Sequence, residues 1–486
     1  MYSIFSDCTD LTEFVVSENN PNFKSMDGVV FTKDGRELLY YPPGKAGDYT
    51  VPEGVETIGE NAFSFCTGLT SITLPDGLKT IGDNAFRNGT SLKSVTLPNG
   101  LETIGEDAFR YCTGLTSVTL PEGVKTIGNW AFGGCTGLTS ITLPDGLKTI
   151  GEMAFWDCTD LTSITFPEGL KTIGNGIFSG CKGLTSITFP EGLNTIEGRA
   201  FDGCTGLTSI TFPEGLETIE YRAFDHCTGL TSIAFSQGLE TIGNHAFSGC
   251  TGLTSVTFPE GLKSIGENAF YSCTNLTSVT FLEGLETIGE NAFRNCTGLT
   301  SVTLPEGLET IGKWAFYGCT GLTSITLPKG LETIGRGAFD GCTGLTSITL
   351  PEGLKTIGED AFRNCTGLTS ITLPEGLETI ERSAFANSGL ISVTLPKGLK
   401  TIGFFAFLDC KNLSTVVIEG AESLSSVMFA HCENLKEVTI LEAKAFGKGV
   451  FLSCPHLTIH APAGSEAEAY AKEKRIPFES TTKIEK

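Results

Sequence analysis

The chain has 486 residues, of which 56 are acidic and 33 are basic, so its net charge is −23. That balance argues against nucleic acid as a partner, because nucleic-acid binding needs clustered Lys and Arg, and equally against an anionic membrane surface. No apolar run approaches the length of a membrane span, so insertion into a membrane is not expected.

The N-terminal segment is predicted to be the second half of a repeated unit. Phe5, Cys8 and Leu11 have the F-x-x-C-x-x-L spacing that recurs further along the chain. We therefore expect sequence upstream of Met1 to be missing. No signal peptide is visible, but in a chain that starts within a repeat this carries no information about location.

An insertion of residues 17–50 follows, and it is predicted to contain a β-hairpin. The apolar runs Val29–Phe31 and Leu38–Tyr41 flank Asp34-Gly35, and Asp-Gly between apolar runs is a strong hairpin signal. Residues 1–50 are thus predicted to form a partial first coil with a hairpin insertion. We expect this region to cover or bend the first coils.

Residues 51–456 form one repeat array whose period is 23 up to about Phe385, as in the unit LTSITLPEGLKTIGEDAFRNCTG at Leu345–Gly367, with coils of 22 residues near its C-terminal end. Self-similarity at a period of roughly 20–30 residues indicates a solenoid, in which each repeat is one coil stacked on the last. The L-x-x-I-x-L segment is predicted to be a short strand. Pro351 ends this strand because proline cannot donate to a β-ladder.

The second half of each unit has two possible structures. Leu354, Ile357, Ala361 and Cys365 follow one another at spacings of three, four and four, which is typical of a helical stripe. The segment Leu354–Ile357 is also compatible with a second short extended piece, since so few residues cannot settle the period. We therefore predict a short helical or irregular segment opposite the strand.

Seventeen cysteines are present, nearly all three residues after the repeated Phe. An odd number cannot pair completely, and Gly89 takes this position in one coil, which shows that a small group suffices there. The favoured interpretation is a column of buried thiols that act as small apolar side chains. The alternative is a column of thiolates that binds a soft metal, but no C-x-x-C pair or converging His supports it.

Residues 457–486 are predicted to form a C-terminal cap and tail. Pro462 ends the last strand, and Ser465–Glu468 is a capping box that opens a helix through about Lys474. Such a helix would cover the bare edge of the stack. Thr481–Lys486 is predicted to be a loose tail.

Neither a catalytic residue nor a cofactor is predicted. The five histidines recur with no nucleophile or acid at a meaningful spacing, and His226 beside Cys227 is best explained as a surface residue. Glu122, Asp145 and Glu168 belong to an acidic column at the turn of successive coils. A solvated face explains this column better than a calcium site, because calcium takes about six to eight oxygens and each coil offers one carboxylate.

Two surfaces are candidates for binding. The polar positions of the strands hardly vary, so they form a uniform face suited to a repetitive partner. The positions around each Ala-Phe pair vary in nearly every coil, and exposed aromatics there are typical anchors of protein interfaces. The candidate strand face comprises Thr116, Ser117, Thr119, Thr139, Ser140 and Thr142. The candidate ridge comprises Trp130, Met153, Trp156, Tyr221, Tyr271, Trp314 and Tyr317. The alternative is that these aromatics only cover the coils, since isolated exposed apolar groups are common.

The L-x-x-I-x-L-P strand, the L-x-x-I-G turn and the A-F-x-x-C stretch resemble the BspA-like leucine-rich repeats first associated with treponemal and Bacteroides surface proteins. The resemblance implies an α/β-repeat fold, a curved right-handed solenoid of 23-residue coils with one strand each. It also implies a non-enzymatic, adhesin-like bacterial surface or secreted scaffold that contacts host matrix proteins, glycans or other cells.

The second hypothesis is an architectural spacer that displays domains missing from this sequence, and an enzyme is the third. The expected partner is a protein or a polysaccharide, and the chain is expected to be a monomer. Repeat folds host many binding roles, so the ligand stays open at this point.

Overall fold

The computed structural model describes Phe5 and residues 8–308 and 310–481, which divide into two compact units with a boundary after Gly238. Each unit is a β-solenoid with a repeat of about 23 residues. In the described residues the only α-helix is a short one near the C-terminus, and none is long and apolar enough to cross a lipid bilayer.

The N-terminal insertion contains three antiparallel strands. β1 (Phe23–Met26) pairs with β2 (Val29–Thr32), and β2 pairs with β3 (Glu37–Tyr40). The second of these connections passes through Asp34-Gly35, so the predicted hairpin is confirmed.

The insertion also extends the solenoid. β3 pairs in parallel with Thr57–Ile58, whereas β4 (Gly47–Thr50) pairs in parallel with Leu69–Thr73. Most coils of the solenoid have a longer and a shorter strand, and each kind forms its own row along the stack. Thr57–Ile58 belongs to the row of shorter strands and Leu69–Thr73 to the row of longer ones, so the insertion supplies one strand to each row. It therefore contributes most of a first coil in addition to covering the stack.

The longer strand of each coil has one inward residue between two outward ones. Val118 is buried, whereas Ser117 and Thr119 are exposed. Val118 pairs in parallel with Val95 and Ile141, one period away on either side, so identical positions form straight columns. The longer strands of the first unit's coils are Leu69–Thr73, Ser94–Thr96, Ser117–Thr119, Ser140–Thr142, Ser163–Thr165, Ser186–Thr188, Ser209–Thr211 and Ser232–Ala234.

Most coils also have a second strand of two residues, Thr-Ile, or Ser-Ile in one coil. In the last two coils the isolated bridges Ala421–Ala443 and Leu424–Phe446 replace it. The two-residue strand confirms the extended alternative for Leu354–Ile357, where Thr356–Ile357 is a strand, and it adds a second strand to the one predicted per coil. The helical stripe is wrong because turns follow this strand directly. The short strands of the first unit are Thr57–Ile58, Thr80–Ile81, Thr103–Ile104, Thr126–Ile127, Thr149–Ile150, Thr172–Ile173, Thr195–Ile196 and Thr218–Ile219.

The second unit repeats both rows. In the coils of Thr349 and Thr372, isolated parallel bridges replace the longer strand. Its longer strands are Ser255–Thr257, Ser278–Thr280, Ser301–Thr303, Ser324–Thr326, Ser392–Leu395, Thr415–Ile418, Glu437–Ile440 and Thr458–Pro462. Its short strands are Thr241–Ile242, Ser264–Ile265, Thr287–Ile288, Thr310–Ile311, Thr333–Ile334, Thr356–Ile357, Thr379–Ile380 and Thr401–Ile402.

Two columns of side chains fill the core beside the Ala-Phe turn. Neighbouring rings of the repeated Phe stack at centroid distances of 4.9–5.6 Å in the first unit and 5.1–5.7 Å in the second. Beside them run the cysteines, as where the Cys112 thiol donates to the carbonyl of Phe86 at 3.0 Å. One coil cannot bury these groups alone, so stacking drives folding.

A helix and a final strand close the C-terminal end. The helix Glu466–Lys474 has Ser465 as its N-cap, whose hydroxyl accepts from the backbone N–H of Glu468 at 3.3 Å, as the capping box predicts. The strand Phe478–Thr481, which the sequence did not predict, pairs in parallel with Thr458–Pro462. The predicted tail beyond Thr481 lies outside the described residues.

Candidate binding ridge

The ridge consists of four positions in each coil: the two residues before the repeated Ala, the residue after Phe, and the residue before Cys. Two of these positions, directly before Ala and directly before Cys, have a left-handed backbone in every coil from residue 61 to residue 453. Trp130 represents the first position with φ 57°, and Tyr111 the second with φ 61°. The ridge therefore has one repeated backbone that carries many different side chains.

The backbone at these two positions disfavours bulky residues, although the chain places several there. The left-handed region suits Gly and Asn, and a bulky side chain there is a strained outlier. The chain often follows this preference, for example at Asn84 and Asn268. Trp130, Met153 and Trp314 depart from it, with φ between 53° and 57°. Three of the seven predicted ridge residues thus lie where the backbone disfavours them.

Trp130 and Trp156 form the centre of an aromatic patch. Their ring centroids are 5.4 Å apart in an edge-to-face arrangement, although they belong to successive coils. The guanidinium of Arg110 lies 4.1 Å from the Trp130 centroid and 4.9 Å from that of Tyr111. All four side chains are half-buried. We define the aromatic patch as Tyr111, Trp130, Met153 and Trp156 with Arg110.

Contacts with Asp107 and with the following coil hold the side chains of the aromatic patch in place. Asp107 is buried and accepts from Arg110 at 2.9 Å and from Arg87 at 3.0 Å, which fixes the guanidinium beneath the rings. Met153 lies against Gly176 of the following coil, where an added Cβ would come within 2.9 Å of Met153 Cγ. The aromatic patch is therefore preorganised, because its central cation is anchored by buried hydrogen bonds.

The ridge residues of the second unit form smaller groups. Trp314 and Tyr317 share a coil, with Arg336 5.2 Å from the Trp314 ring and Arg294 4.5 Å from the Tyr317 ring. Tyr271 is half-buried two coils earlier. The sequence-predicted ridge thus contains one extended cluster, in the first unit, and several small groups.

The repeats match a known family. A model of the BspA type leucine rich repeat region matches residues 39–162, 102–231, 217–346 and 332–458. The chain belongs to the BspA-type leucine-rich repeat proteins. Members of this family are solenoid scaffolds. In this chain the scaffold is built from the row of longer strands and the row of two-residue strands described above.

Solved structures of other leucine-rich repeat proteins are similar to this BspA-type chain. A leucine-rich repeat protein from Bacteroides ovatus is 31% identical with a TM-score of 0.63, and the match covers 76% of this chain and 92% of that one. A leucine rich cell surface protein from Faecalibacterium prausnitzii is 26% identical with a TM-score of 0.39, over 80% and 96% of the two chains. A T. pallidum leucine rich repeat protein is 27% identical with a TM-score of 0.33, over 46% and 86%. The comparison with curated proteins gave no match.

The strand face of this BspA-type chain is exposed as predicted, but part of its hydrogen-bonding capacity is used internally. The hydroxyl of Thr139 donates to the carbonyl of Thr116 at 3.1 Å, and Thr116 donates to Lys93 at 3.3 Å. Among the described residues, Ser117 and Ser140 make no such bond. One hydroxyl per coil therefore stabilises the stack, and the others remain available to a ligand. Thr116, Ser117, Thr119, Thr139, Ser140 and Thr142 are all exposed.

The thiol column matches the buried-thiol interpretation. All seventeen cysteines are free, and all except the exposed Cys8 and the half-buried Cys454 are buried. Burial raises the pKa of the Cys112 thiol to about 12. A thiol that donates to a carbonyl is protonated, whereas a metal ligand is a thiolate, so this geometry favours the apolar role.

A polar cluster in the first unit includes one of the histidines set aside above. Oxygens of Asp202 and Asp225 and a ring nitrogen of His226 lie within 4.8 Å of one another. Burial and the neighbouring Asp225 raise the pKa of Asp202. Nε of Arg222 is 3.5 Å from Asp225, so a cation of the protein already balances this carboxylate. Nearby, the exposed ridge residue Tyr221 has the Arg222 guanidinium 5.1 Å from its ring.

The sequence interpretation missed an apolar segment of the ridge in the second unit. Phe404 is 55% exposed, and Phe405 is half-buried with a left-handed φ of 62°. Val427 holds the same left-handed position one coil later. The sequence does contain a signal for this segment, because Phe404-Phe405 directly precedes Ala406-Phe407 and so occupies two of the four ridge positions. The predicted ridge included only Trp, Tyr and Met, so these two residues were not among its members.

Proposed function

We propose that this chain is a non-enzymatic, adhesin-like scaffold at the bacterial surface or secreted from the cell, and that its aromatic patch binds a protein partner. Host matrix proteins and proteins of other cells are the partner class that the family resemblance favours. Under this proposal the chain binds its partner as a monomer. Its two compact units carry separate parts of the ridge.

The carrying observation is the placement of Trp130 in a left-handed backbone. A residue in such a region costs of order 1–3 kcal/mol, and strain of this kind is concentrated at functional sites. Asn occupies the same position at Asn84 and Asn268, so the fold itself does not require a ring there. The presence of Trp130 at this disfavoured position supports a role outside the stability of the coil.

The composition of the aromatic patch supports a protein partner. Trp, Tyr and Arg dominate the energetics of protein interfaces, and Arg110 contacts the rings of both Trp130 and Tyr111. Their stacked arrangement also reduces the entropy lost on binding, because the rings and the guanidinium are already in place. The uniform strand face has hydroxyls but no such anchors, so it is better suited to a repetitive glycan.

The test begins with an array of extracellular matrix proteins and glycans probed with the purified chain. Trp130→Asn combined with Trp156→Asn should weaken the best protein ligand about 30-fold or more, the effect expected of a hot spot. Trp314→Asn is the matched control, because Trp314 has the same backbone geometry in the second unit, and it should leave affinity within about twofold.

Three results would contradict the proposal in different ways. Equal losses for the double variant and for Trp314→Asn would place the site elsewhere on the ridge. A ligand lost only when Thr116, Thr139 and their neighbours become Ala would assign binding to the strand face. The absence of any ligand would favour the spacer hypothesis.

A further inference from the structure

A groove in the second unit collects positive charge on an otherwise acidic chain. Its rim carries Arg336, Arg363, Arg382 and Lys411, which come from four successive coils. We call this surface the basic groove. Because neighbouring coils are about 4.8 Å apart, the cations are distributed along the direction of the stack and would meet an elongated ligand.

Two of the four cations have no acidic partner. Arg336 lies 3.5 Å from Glu359, and Arg363 lies 3.5 Å from Asp360. Within the described residues, neither Arg382 nor Lys411 has an ion pair with an acidic side chain. Both are exposed. Asp409 also lines this end, so Arg382 and Lys411 exceed the acidic groups there by one positive charge.

The floor of this end is apolar. The Phe405 ring lies 5.8 Å from the Arg382 guanidinium, and half-buried Leu408 lines the same hollow. Phe405 occupies the left-handed ridge position, where the backbone favours Asn or Gly. A half-buried ring that lines a hollow beside a guanidinium is suited to contact the flat face of a ring in a ligand.

A short ladder of amides runs beside the cations. Nδ2 of Asn387 donates to Oδ1 of Asn364 at 2.9 Å, and Nδ2 of Asn364 donates to Asp340 at 2.9 Å. These bonds orient the amides of successive coils in the same way. Asn387 is exposed, so its oxygen and second N–H are available for hydroxyl groups at one end of the ladder.

From this combination we propose that the basic groove binds an acidic polysaccharide. Its carboxylate or sulfate groups would pair with Arg382 and Lys411, one sugar ring would pack on Phe405, and hydroxyls would bond Asn387. This site is separate from the aromatic patch and does not depend on the function proposed for that patch. An acidic peptide is the competing occupant, but it would bring no array of hydroxyls for the amides.

The experiment measures binding of the full chain to four polymers by isothermal titration calorimetry. Oligogalacturonate carries carboxylates, dextran sulfate carries sulfates, poly-glutamate represents an acidic peptide, and neutral dextran is the blank. The expected result is binding of at least one charged polysaccharide and none of dextran. The charged polysaccharide that binds more tightly identifies which anionic group the groove prefers. Binding should weaken as salt rises from about 0.01 to 0.15 M, over which the screening length falls from about 30 to 8 Å.

Variants connect this binding to the groove. Arg382→Gln with Lys411→Gln should weaken it about tenfold or more, since each side chain supplies a charge-assisted hydrogen bond. Lys329→Gln with Lys397→Gln removes the same charge from Pro-Lys-Gly turns of the second unit, outside the groove. This control should stay within about twofold of the original chain. Phe405→Asn retains the charge, restores a residue that the left-handed backbone accepts, and should weaken binding about threefold or more through the lost ring contact.

Four outcomes would overturn the proposal. They are no binding of either charged polysaccharide, binding of neutral dextran with the same affinity, equal losses in the groove and control variants, and tighter binding of poly-glutamate than of both charged polysaccharides. Loss of the aromatic patch through Trp130→Asn leaves this binding unchanged under the proposal, so the two sites can fail independently.

Discussion

The core columns and the ridge lie side by side in every coil, yet they differ in what they hold constant. In the columns the side chain is repeated, with Phe stacked on Phe and thiols bonded to the carbonyls of Phe. On the ridge the backbone is repeated, with two left-handed residues per coil, and the side chains change. The solenoid thus separates the residues that hold it together from the residues that can recognise a partner.

This separation explains how a repetitive chain can carry distinct sites. The aromatic patch and the basic groove use largely the same positions of the coil in different units, with Lys411 just outside them, and neither alters the columns beneath it. Because recognition residues do not contribute to the core, substitutions in the two regions should have very different energetic consequences. The following predictions test that difference, starting with the largest effect.

Alkaline pH should destabilise the columns most. The pKa of Cys112 is about 12 in the folded chain against an ordinary value of 9.0, so the folded state holds this proton more tightly. The stabilisation is complete below about pH 9 and is lost as pH rises toward 12, at about 1.4 kcal/mol per pH unit for each such thiol. Denaturant unfolding measured between pH 8 and about pH 11 should show this steep loss.

Cys112→Ser tests the assignment, since Ser388 occupies the same repeat position in another coil. Above pH 9 the free energy of unfolding of this variant should fall less steeply with pH, by the contribution of one thiol. In the native chain at neutral pH, maleimide should label Cys8 readily and Cys454 partly, and the other thiols only after unfolding. A ladder of disulfides in mass spectra, or stability that is flat above pH 9, would be incompatible with protonated buried thiols.

A ring removed from the Phe column should have the next largest effect. Phe316 stacks on Phe293 at 5.4 Å and on Phe339 at 5.7 Å. Phe316→Ala should lower the free energy of unfolding by about 3–5 kcal/mol and divide unfolding into stages, because each coil contacts only its neighbours. Denaturant unfolding followed by circular dichroism measures both effects. Single-step unfolding at unchanged stability would show that this ring is not packed.

The ridge should respond weakly, and the response should reveal the backbone strain. Trp130→Asn and Trp156→Asn each remove one partner of the same ring contact, but only Trp130 has a left-handed backbone. Relief of that strain should make Trp130→Asn less destabilising than Trp156→Asn by about 1 kcal/mol. Trp130→Asn also removes the contact with Arg110, which acts against this difference. A larger loss for Trp130→Asn than for Trp156→Asn in denaturant unfolding would contradict the stored strain.

The strand face should respond least. Thr139→Ala removes one exposed hydroxyl bond to the carbonyl of Thr116, and the loss should be at most about 0.5 kcal/mol, the usual range for surface positions. Thermal unfolding of a single variant should hardly change. A loss of more than about 2 kcal/mol would mean that the hydroxyl ladder belongs with the core columns.

The repeat period, the Phe and Cys columns and the capping box before Glu466 could be predicted because each depends on local spacing. The second strand could not be assigned, since Thr-Ile is too short to show a period. The left-handed backbone was also missed, although a column of Asn and Gly before the repeated Ala would have indicated it. Trp130 and Trp156 were both included in the predicted ridge, but the Arg110 stack depends on Asp107, which only packing reveals.

Three of the large left-handed residues lie over a glycine in the next coil. Tyr111 leans across Gly134, Met153 across Gly176 and Trp314 across Gly337, each glycine holding the same position one coil later. A Cβ on any of these glycines would collide with the side chain that covers it. A large side chain that leans over the next coil in this way therefore needs a glycine at the same position there. Trp130 does not lean in this way, because Met153 holds its position one coil later and its ring contacts Trp156 and Arg110 instead. An anchor grafted onto this scaffold in the first geometry requires substitutions in two coils to place one ring.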